Sequence, residues 1–180
     1  MDMKIKKFTS FTDTVYVKDK FITSKECKKY MKVAKNPSPL IRNSYNAHNQ
    51  LWDERIFDVT RDPIVTKVKN FLNKTFNLNL KIARAEIQNW FLGTNASLHV
   101  HDDYEYMGIN PRYNSLLYLN SNFKGGLFYT GYGIVVKPEV GRLTFFDGRE
   151  IKHGVSEVKK NDRLTIIFWW EDQGLMEGTI

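Results

Sequence analysis

The sequence predicts a mainly β fold with flanking helices, namely a jelly roll of two packed sheets supported by two N-terminal helices. After Leu78, short runs rich in β-branched and aromatic residues alternate with Gly, Asn and Pro, which is the pattern of strands and turns. Eight such runs in about ninety residues are typical of an all-β double sheet. Before Leu78, two segments instead show apolar residues at helical spacing behind recognisable start signals.

The two predicted helices are defined by their ends. Thr23 and Glu26 have capping-box spacing and predict a helix that ends near Ala34, before a segment with two prolines. Asp62, followed by proline at the first helical position, predicts a second helix that ends near Asn77.

Two N-terminal segments are less regular. Residues 1–20 alternate weakly and predict an early edge strand or an extended arm. Residues 40–52 are polar and irregular, so we expect a loop there, of the kind that often forms a lid. The predicted strands are Leu80–Phe91, Leu98–Asp103, Tyr113–Asn120, Leu127–Thr130, Ile134–Val136, Arg142–Phe146, Gly154–Val158 and Arg163–Trp170.

Composition limits the class of protein. The chain has 180 residues, 42% of them hydrophobic, which suits one domain with a substantial core. Cys27 is the only cysteine, so no intrachain disulfide forms and a reducing compartment is expected. The sequence shows neither an apolar signal-like run nor a stretch long enough to span a bilayer, and we expect a cytoplasmic location without a membrane partner.

The net charge of +7 raises the question of a nucleic-acid partner. The lysines are scattered, however, and no basic run with interleaved aromatic residues of the kind that binds single strands is present. Nucleic acid is therefore a weakly supported partner, and the oligomeric state is left open.

A candidate metal site lies in the second half of the chain. His101 and Asp103 share one face if their strand is regular, and a jelly roll can bring His153 to the same mouth. Two imidazoles and one carboxylate form the ligand set of non-haem Fe(II) oxygenases and leave coordination positions open. His99 lies on the same face, so a three-histidine site of the zinc or cupin kind (His99, His101, His153) is the alternative.

Arg163 opens the last predicted strand, and Thr165 follows on the same face. A guanidinium pairs bidentately with a carboxylate, and a nearby hydroxyl supports it, so the pair suits a dicarboxylate co-substrate. Tyr118 lies in an apolar strand, where its hydroxyl needs a partner if buried. The alternatives are a solvated strand-end arginine and a tyrosine that only packs in the core.

Several further motifs extend this pattern, and together they resemble one family. They are Glu86-Ile87-Gln88, Leu117-Tyr118-Leu119-Asn120, Lys124-Gly125-Gly126, Lys137-Pro138-x-x-Gly141-Arg142-Leu143, Phe146-Asp147, His153-Gly154-Val155 and Asn161-Asp162-Arg163-Leu164-Thr165. With His101-x-Asp103 they resemble the 2-oxoglutarate/Fe(II)-dependent dioxygenases, most closely the prolyl hydroxylase-like branch, over about residues 85–170. The family fold is a double-stranded β-helix, a cupin-like jelly roll.

The resemblance implies a role for each matching residue. The spacing from Glu86-x-Gln88 favours His101 and Asp103 over His99, so His101, Asp103 and His153 would bind Fe(II). Arg163, with Thr165 beside it, would hold the distal carboxylate of 2-oxoglutarate. By the same resemblance, Tyr118 would contact that carboxylate and Trp169 would line the pocket near the metal. Dioxygen would be the second co-substrate, and ascorbate is expected to support the iron.

The implied activity is hydroxylation of an unactivated C–H bond with release of succinate and CO2. A prolyl residue in a peptide or protein is the favoured substrate; a free amino acid, a small metabolite or a nucleobase is the alternative, and an inactive binding module is the further one. Aromatic and histidine side chains that would flank the mouth are Tyr45, His48, Trp52, Tyr104, Tyr106 and Tyr113. The expected organisation is a single domain with a helical support and lid loop (1–82), a jelly-roll core (83–172) and a short tail (173–180).

Overall fold

The computed structural model describes residues 4–35, 40–45, 51–101 and 110–174, with the backbone alone described over 40–45 and 51–56. Two helices are present in this part of the chain, α1 (Ser24–Val33) and α2 (Pro63–Phe76). The strands are β1 (Lys6–Ser10), β2 (Asp13–Lys18), β3 (Leu40–Tyr45), β4 (Leu51–Asp58), β5 (Leu80–Trp90), β6 (Ala96–His99), β7 (Tyr113–Tyr118), β8 (Lys124–Gly125), β9 (Phe128–Thr130), β10 (Val135–Val136), β11 (Leu143–Asp147), β12 (His153–Val155), β13 (Val158–Lys160) and β14 (Arg163–Asp172).

The strands form a double-stranded β-helix of a large and a small sheet. The eight-stranded sheet has the order β1-β2-β11-β7-β14-β5-β4-β3, and the four-stranded sheet has the order β10-β9-β12-β6. A short two-stranded ribbon, β13-β8, closes one end. The predicted jelly roll with two supporting helices is therefore confirmed.

Both helices begin and end where local chemistry predicts. The Thr23 hydroxyl accepts a hydrogen bond from the backbone N–H of Glu26, and the Glu26 carboxylate accepts one from the Thr23 N–H, which completes the capping box. The Asp62 carboxylate caps α2 by accepting from the Ile64 N–H. Asn77 ends α2 in the left-handed conformation (φ 52°), which asparagine tolerates.

Strand β14 separates the two halves of the core, because its side chains alternate between the two faces of the large sheet. Leu164, Ile166, Phe168 and Trp170 pack on the helix side, where they join the apolar faces of α1 and α2. The odd-numbered residues of β14 point the other way, and Ile167 packs against the interior cluster between the two sheets. This second cluster is lined by Val15, Val17, Leu116, Tyr118, Phe128, Ile134, Val136, Phe146 and Ile151.

The prediction of an irregular loop over residues 40–52 was wrong. Strands β3 and β4 form an antiparallel hairpin, and β4 pairs with β5 from Glu54↔Trp90 to Asp58↔Glu86. Backbone pairing with β5 satisfies the peptide groups of this hairpin, so a polar sequence can form strands at the edge of the sheet. The predicted lid function has no support from these strands, and residues 46–50 lie outside the described part.

At the N-terminus, the expected edge strand is a hairpin. β1 lies at the edge of the large sheet, and β2 pairs with both β1 and β11. The division into segments 1–82, 83–172 and 173–180 stays a prediction. None of the helices in the described ranges is long and apolar enough to cross a membrane.

Candidate metal centre and co-substrate pocket

The candidate metal centre is built where β6 meets β12 in the small sheet. His99 ends β6 and is the register partner of His153, the first residue of β12. His101 follows in a bend, so the regular strand ends before the point expected for Leu98–Asp103. The His101 N–H donates to the Gly148 carbonyl (2.8 Å), which ties this bend to the turn after β11.

Two imidazoles converge in a buried position. His101 and His153 are each 5% exposed, and their Nε2 atoms lie 3.0 Å apart. Nδ1 of His153 lies 2.8 Å from the Ile151 carbonyl oxygen. Because a carbonyl only accepts, Nδ1 carries the proton and donates, and the Nε2 lone pair faces His101.

The electrostatics keep both rings neutral near pH 7. Burial lowers the pKa of His101 well below its ordinary value, and the neighbouring imidazoles of His153 and His99 add to this effect. Burial likewise lowers the pKa of His153 to about 3, and His99 contributes to the decrease. Neutral imidazole is the form that binds a metal ion, so the donor pair fits a divalent cation.

Aromatic side chains enclose this pair. The Phe146 ring lies edge-on to His153 with ring centroids 4.6 Å apart, and the Phe128 ring stacks on it at 5.8 Å. These rings exclude water from one side of the imidazole and fix its orientation.

The third expected ligand, Asp103, lies outside the described residues, as do Tyr104 and Tyr106. The described histidines form a cluster of their own, since ligand atoms of His99, His101 and His153 all lie within 4.8 Å of one another. The structure thus brings His99, the residue of the three-histidine alternative, to the same site.

A buried cluster of polar side chains lies inside the barrel, on the odd-numbered face of β14. Arg163 is 1% exposed, and its guanidinium donates to the Gly126 carbonyl (3.2 Å) and to Thr165 Oγ1 (3.3 Å). Its charged carbon also lies 5.0 Å from the centroid of the Trp90 ring and 5.5 Å from that of Tyr118. Arg163 is therefore a buried cation in the barrel and not a solvated residue at a strand end.

Tyr118 and Thr165 are register partners on β7 and β14, so their side chains share this interior face. The Tyr118 hydroxyl and Thr144 Oγ1 are buried and make no hydrogen bond of standard geometry within the described part of the chain. Burial raises the pKa of Tyr118, and the Arg163 guanidinium opposes the increase. The pocket thus presents a cation and several hydroxyls, a donor set that matches a carboxylate.

Trp169 lies further along the same face of β14, opposite Asn114 of β7. It is 7% exposed, and its indole N–H has no hydrogen-bond partner in the described ranges. The side chains of Tyr45 and Trp52 and all of His48 lie outside the described part, so their predicted position beside the mouth stays a prediction. The prediction for Tyr113 was wrong, because its side chain packs on the helix side of the large sheet, with its ring centroid 5.4 Å from that of Phe145.

Two residues of the site were missed from the sequence. Gly148 supports His101 through its carbonyl, and a Cβ there would lie 1.9 Å from Asn114 Oδ1 and 2.9 Å from His101 Cδ2. Its position directly after the Phe146-Asp147 motif is the sequence signal that could have identified Gly148. Thr144 shares the interior face of β11 with Phe146, and strand alternation alone is too general a signal to single it out.

Comparison with known proteins agrees with this fold. Residues 85–171 match the family model of the 2OG-Fe(II) oxygenase superfamily. Over this stretch the sequence is similar to a family of oxygenases, and the fold resembles that of a prolyl hydroxylase.

Three relatives illustrate the resemblance. Prolyl 3-hydroxylase 1 of Gallus gallus is 38% identical over 65 residues, which cover 32% of this chain and 9% of that protein. The chain thus matches only a small part of that relative's length. A prolyl-4-hydroxylase of Pseudomonas putida aligns over 91% of this chain and 95% of its own, with 16% identity and a TM-score of 0.69. A prolyl hydroxylase of Trichoplax adhaerens, in complex with a hypoxia inducible factor peptide fragment, covers 91% of this chain and 86% of its own, with 16% identity and a TM-score of 0.70.

Proposed function

We propose that this chain is an Fe(II)- and 2-oxoglutarate-dependent hydroxylase that acts on an unactivated C–H bond and releases succinate and CO2. The observation that carries the proposal is the buried pair of neutral imidazoles, whose Nε2 atoms lie 3.0 Å apart at the mouth of the barrel. The buried guanidinium of Arg163 in the same barrel supports it.

His101, Asp103 and His153 would hold the iron. Two nitrogens that bind adjacent positions of one ion at about 2.1 Å are about 3 Å apart, so the separation of the two imidazoles fits a shared metal. Asp103 is proposed as the carboxylate ligand from its sequence spacing. When bound, Fe(II) would supply open positions for the co-substrate and dioxygen and would activate dioxygen, which is the oxidant for C–H hydroxylation.

The residues of the pocket would bind and orient 2-oxoglutarate. Arg163 would donate to the distal carboxylate with Thr165 beside it, and Tyr118 would donate its hydroxyl proton to the same oxygens. Trp169 would line the pocket. The co-substrate carboxylate would meet a buried, permanently charged guanidinium in a site of low dielectric, where such a pair is strong. Ascorbate is proposed as the reductant that keeps the iron in the Fe(II) state.

For the substrate we propose a prolyl residue in a peptide or protein. The support is the likeness to prolyl hydroxylases, one of which is bound to a peptide fragment in its structure. A free amino acid, a small metabolite or a nucleobase is the second candidate, and the net charge of +7 favours its anionic members.

A substrate screen tests the proposal. The protein, loaded with Fe(II) and supplied with 2-oxoglutarate and ascorbate, would be incubated with proline-rich peptides, free amino acids and nucleotides. Mass spectrometry should detect one added oxygen on a prolyl residue, and His153→Ala should abolish it. Oxygen added only to nucleotides or free amino acids would replace the prolyl substrate with the second candidate. No 2-oxoglutarate turnover with any compound would favour an inactive binding module.

A further inference from the structure

His99 is a third imidazole at the mouth of the barrel, beside the two proposed iron-binding histidines. Its ring centroid lies 4.6 Å from that of His153 and 5.1 Å from that of His101. Its Cα is the register partner of His153 in the β6–β12 pair, so both side chains leave the small sheet on one face. His99 is half-buried, whereas the other two are buried.

His99 is oriented in the same way as His153. Nδ1 of His99 lies 2.8 Å from the carbonyl oxygen of Ser97, just as Nδ1 of His153 lies 2.8 Å from that of Ile151. In both residues the carbonyl belongs to the position two residues earlier. Because a carbonyl only accepts, both Nδ1 atoms donate, and Nε2 is the nitrogen through which each ring would bind a metal ion. Metal-binding histidines almost always show this arrangement.

The distances allow the three rings to share one ion. Nitrogens bound to one cation at about 2.1 Å are separated by about 3 to 4 Å, depending on whether they are adjacent or opposite. The His101–His153 separation of 3.0 Å meets this condition directly. All ligand atoms of the cluster lie within 4.8 Å of one another, so a small shift of the half-buried His99 brings its nitrogen into range.

We propose that His99, His101 and His153 form a three-histidine site that binds a nitrogen-preferring divalent cation, such as Co2+, Ni2+ or Zn2+, without the Asp103 carboxylate. His99 is then an additional metal-binding residue, beyond the ligand set of the proposed function. Imidazole suits Zn2+ and Ni2+, which bind such ligands more tightly than Fe2+ does. These ions compete with Fe(II) at the mouth of the barrel.

Co2+ binding tests this site independently of turnover. The intact protein, its Leu98→Ala variant and the Asp103→Ala, His99→Ala and doubly substituted variants would be titrated with Co2+ by absorption spectroscopy. Leu98 is the matched control, since it is exposed and neighbours His99 on the other face of β6. Asp103→Ala should still bind Co2+, with a Kd that increases by less than about tenfold. The double variant should bind Co2+ more than about 100-fold more weakly, because even the loss of a residue that hydrogen-bonds to a metal ligand lowers metal affinity 10- to 100-fold.

X-ray absorption of the Zn2+-loaded protein counts the imidazoles. We expect three in the intact protein and in Asp103→Ala, and two in His99→Ala. Two imidazoles in the intact protein, or equal Co2+ affinity of His99→Ala and Leu98→Ala, would overturn the proposal. Loss of Co2+ binding by an Asp103→Ala protein whose circular dichroism is unchanged would also overturn it. If Asp103→Ala misfolds, Asp103→Asn replaces it. If both Asp103 variants misfold, the comparison of His99→Ala with Leu98→Ala decides alone. Three imidazoles without any succinate formation would leave this site standing and reject the oxygenase function.

Discussion

Gly148 holds His101 in place through its backbone and leaves no space for a side chain of its own. The Gly148 carbonyl accepts a hydrogen bond from the His101 N–H at 2.8 Å, and His101 Cδ2 lies only 2.9 Å from the position that a Cβ on this glycine would take. Asn114 fills the remaining space beside it. The turn after β11 therefore positions a histidine that lies beyond the end of β6.

Gly148→Ala should destabilise the protein and weaken metal binding. Its Cβ would lie 1.9 Å from Asn114 Oδ1, so Asn114 and His101 must both move, at a cost of about 1–3 kcal/mol. Urea unfolding measures the first effect and Co2+ titration the second. Gly131→Ala is the control, because its Cβ would meet Lys152 at an ordinary 3.5 Å. Equal stability and equal Co2+ affinity of the two variants would show that Gly148 does not position His101.

Arg163→Ala should chiefly raise the KM for 2-oxoglutarate. Loss of the guanidinium removes the proposed bidentate partner of the distal carboxylate, and charged hydrogen bonds of this kind contribute about 1.5–3 kcal/mol, or at least tenfold in KM. Steady-state succinate formation at varied 2-oxoglutarate measures it. Arg142→Ala is the control, since Arg142 pairs with Asp19 and Glu139 and should lower stability without changing KM. An unchanged KM for Arg163→Ala would refute its role.

Tyr118→Phe should stabilise the protein without ligand and weaken 2-oxoglutarate binding. The Tyr118 hydroxyl is buried without a standard hydrogen bond in the described part of the chain, so its removal should raise the free energy of unfolding by about 1 kcal/mol. Tyr30→Phe is the opposite case, because the Tyr30 hydroxyl donates to Asp62 at 2.7 Å and its loss should destabilise by about 1 kcal/mol. Chemical unfolding and calorimetric titration separate the two effects. A destabilised Tyr118→Phe with unchanged co-substrate affinity would contradict the prediction.

Glu26 should make the free energy of unfolding depend on pH in the acidic range. Its hydrogen bond with Lys67, with those from Thr23, lowers the pKa of Glu26 from 4.5 to about 2. Between these values the unfolded chain binds the proton more tightly, so the contribution of Glu26 is complete above pH 4.5 and is lost as the pH falls towards 2.

Glu26→Gln tests this dependence because it keeps the shape of the capping side chain and removes the charge. The Glu26 side chain is 39% exposed and its partner Lys67 is more so, and solvent screens this ion pair, so the variant should be less stable at pH 7 by no more than about 1 kcal/mol. The difference should vanish near pH 2, as followed by urea unfolding across the range. Exposed Glu157→Gln controls for the loss of one charge. A difference that does not change with pH would contradict the assignment.

Local chemistry explains which elements could be predicted from the sequence. The helices begin at Thr23 and Asp62 because their side chains satisfy the first backbone N–H groups, and such caps are encoded within four residues. Most strands of the jelly roll were predicted since each is a short apolar run between turn residues. His153 and Arg163 were singled out by spacing, and the structure places both inside the barrel.

Non-local contacts explain what could not be predicted. The β3–β4 hairpin is polar, and its pairing with β5 is visible only once β5 is in the sheet. β6 ends at His99, before the strand end that the pattern indicated, because His101 instead bonds to the distant Gly148. The burial of Thr144 beside Tyr118 likewise depends on the pairing of β11 with β7.

Succinate formation tests the central claim most directly. The protein would be purified without oxygen, loaded with Fe(II), and supplied with 2-oxoglutarate, ascorbate and air in the absence of a prime substrate, beside Asp103→Ala and an oxygen-free control. We expect slow succinate production by the intact protein that disappears in the variant and without oxygen. If instead prolyl peptides are needed, the same dependence on Asp103 and oxygen should appear once they are added. Succinate formed equally by the intact protein and Asp103→Ala, or by neither under any of these conditions, would contradict an oxygenase built on His101, Asp103 and His153.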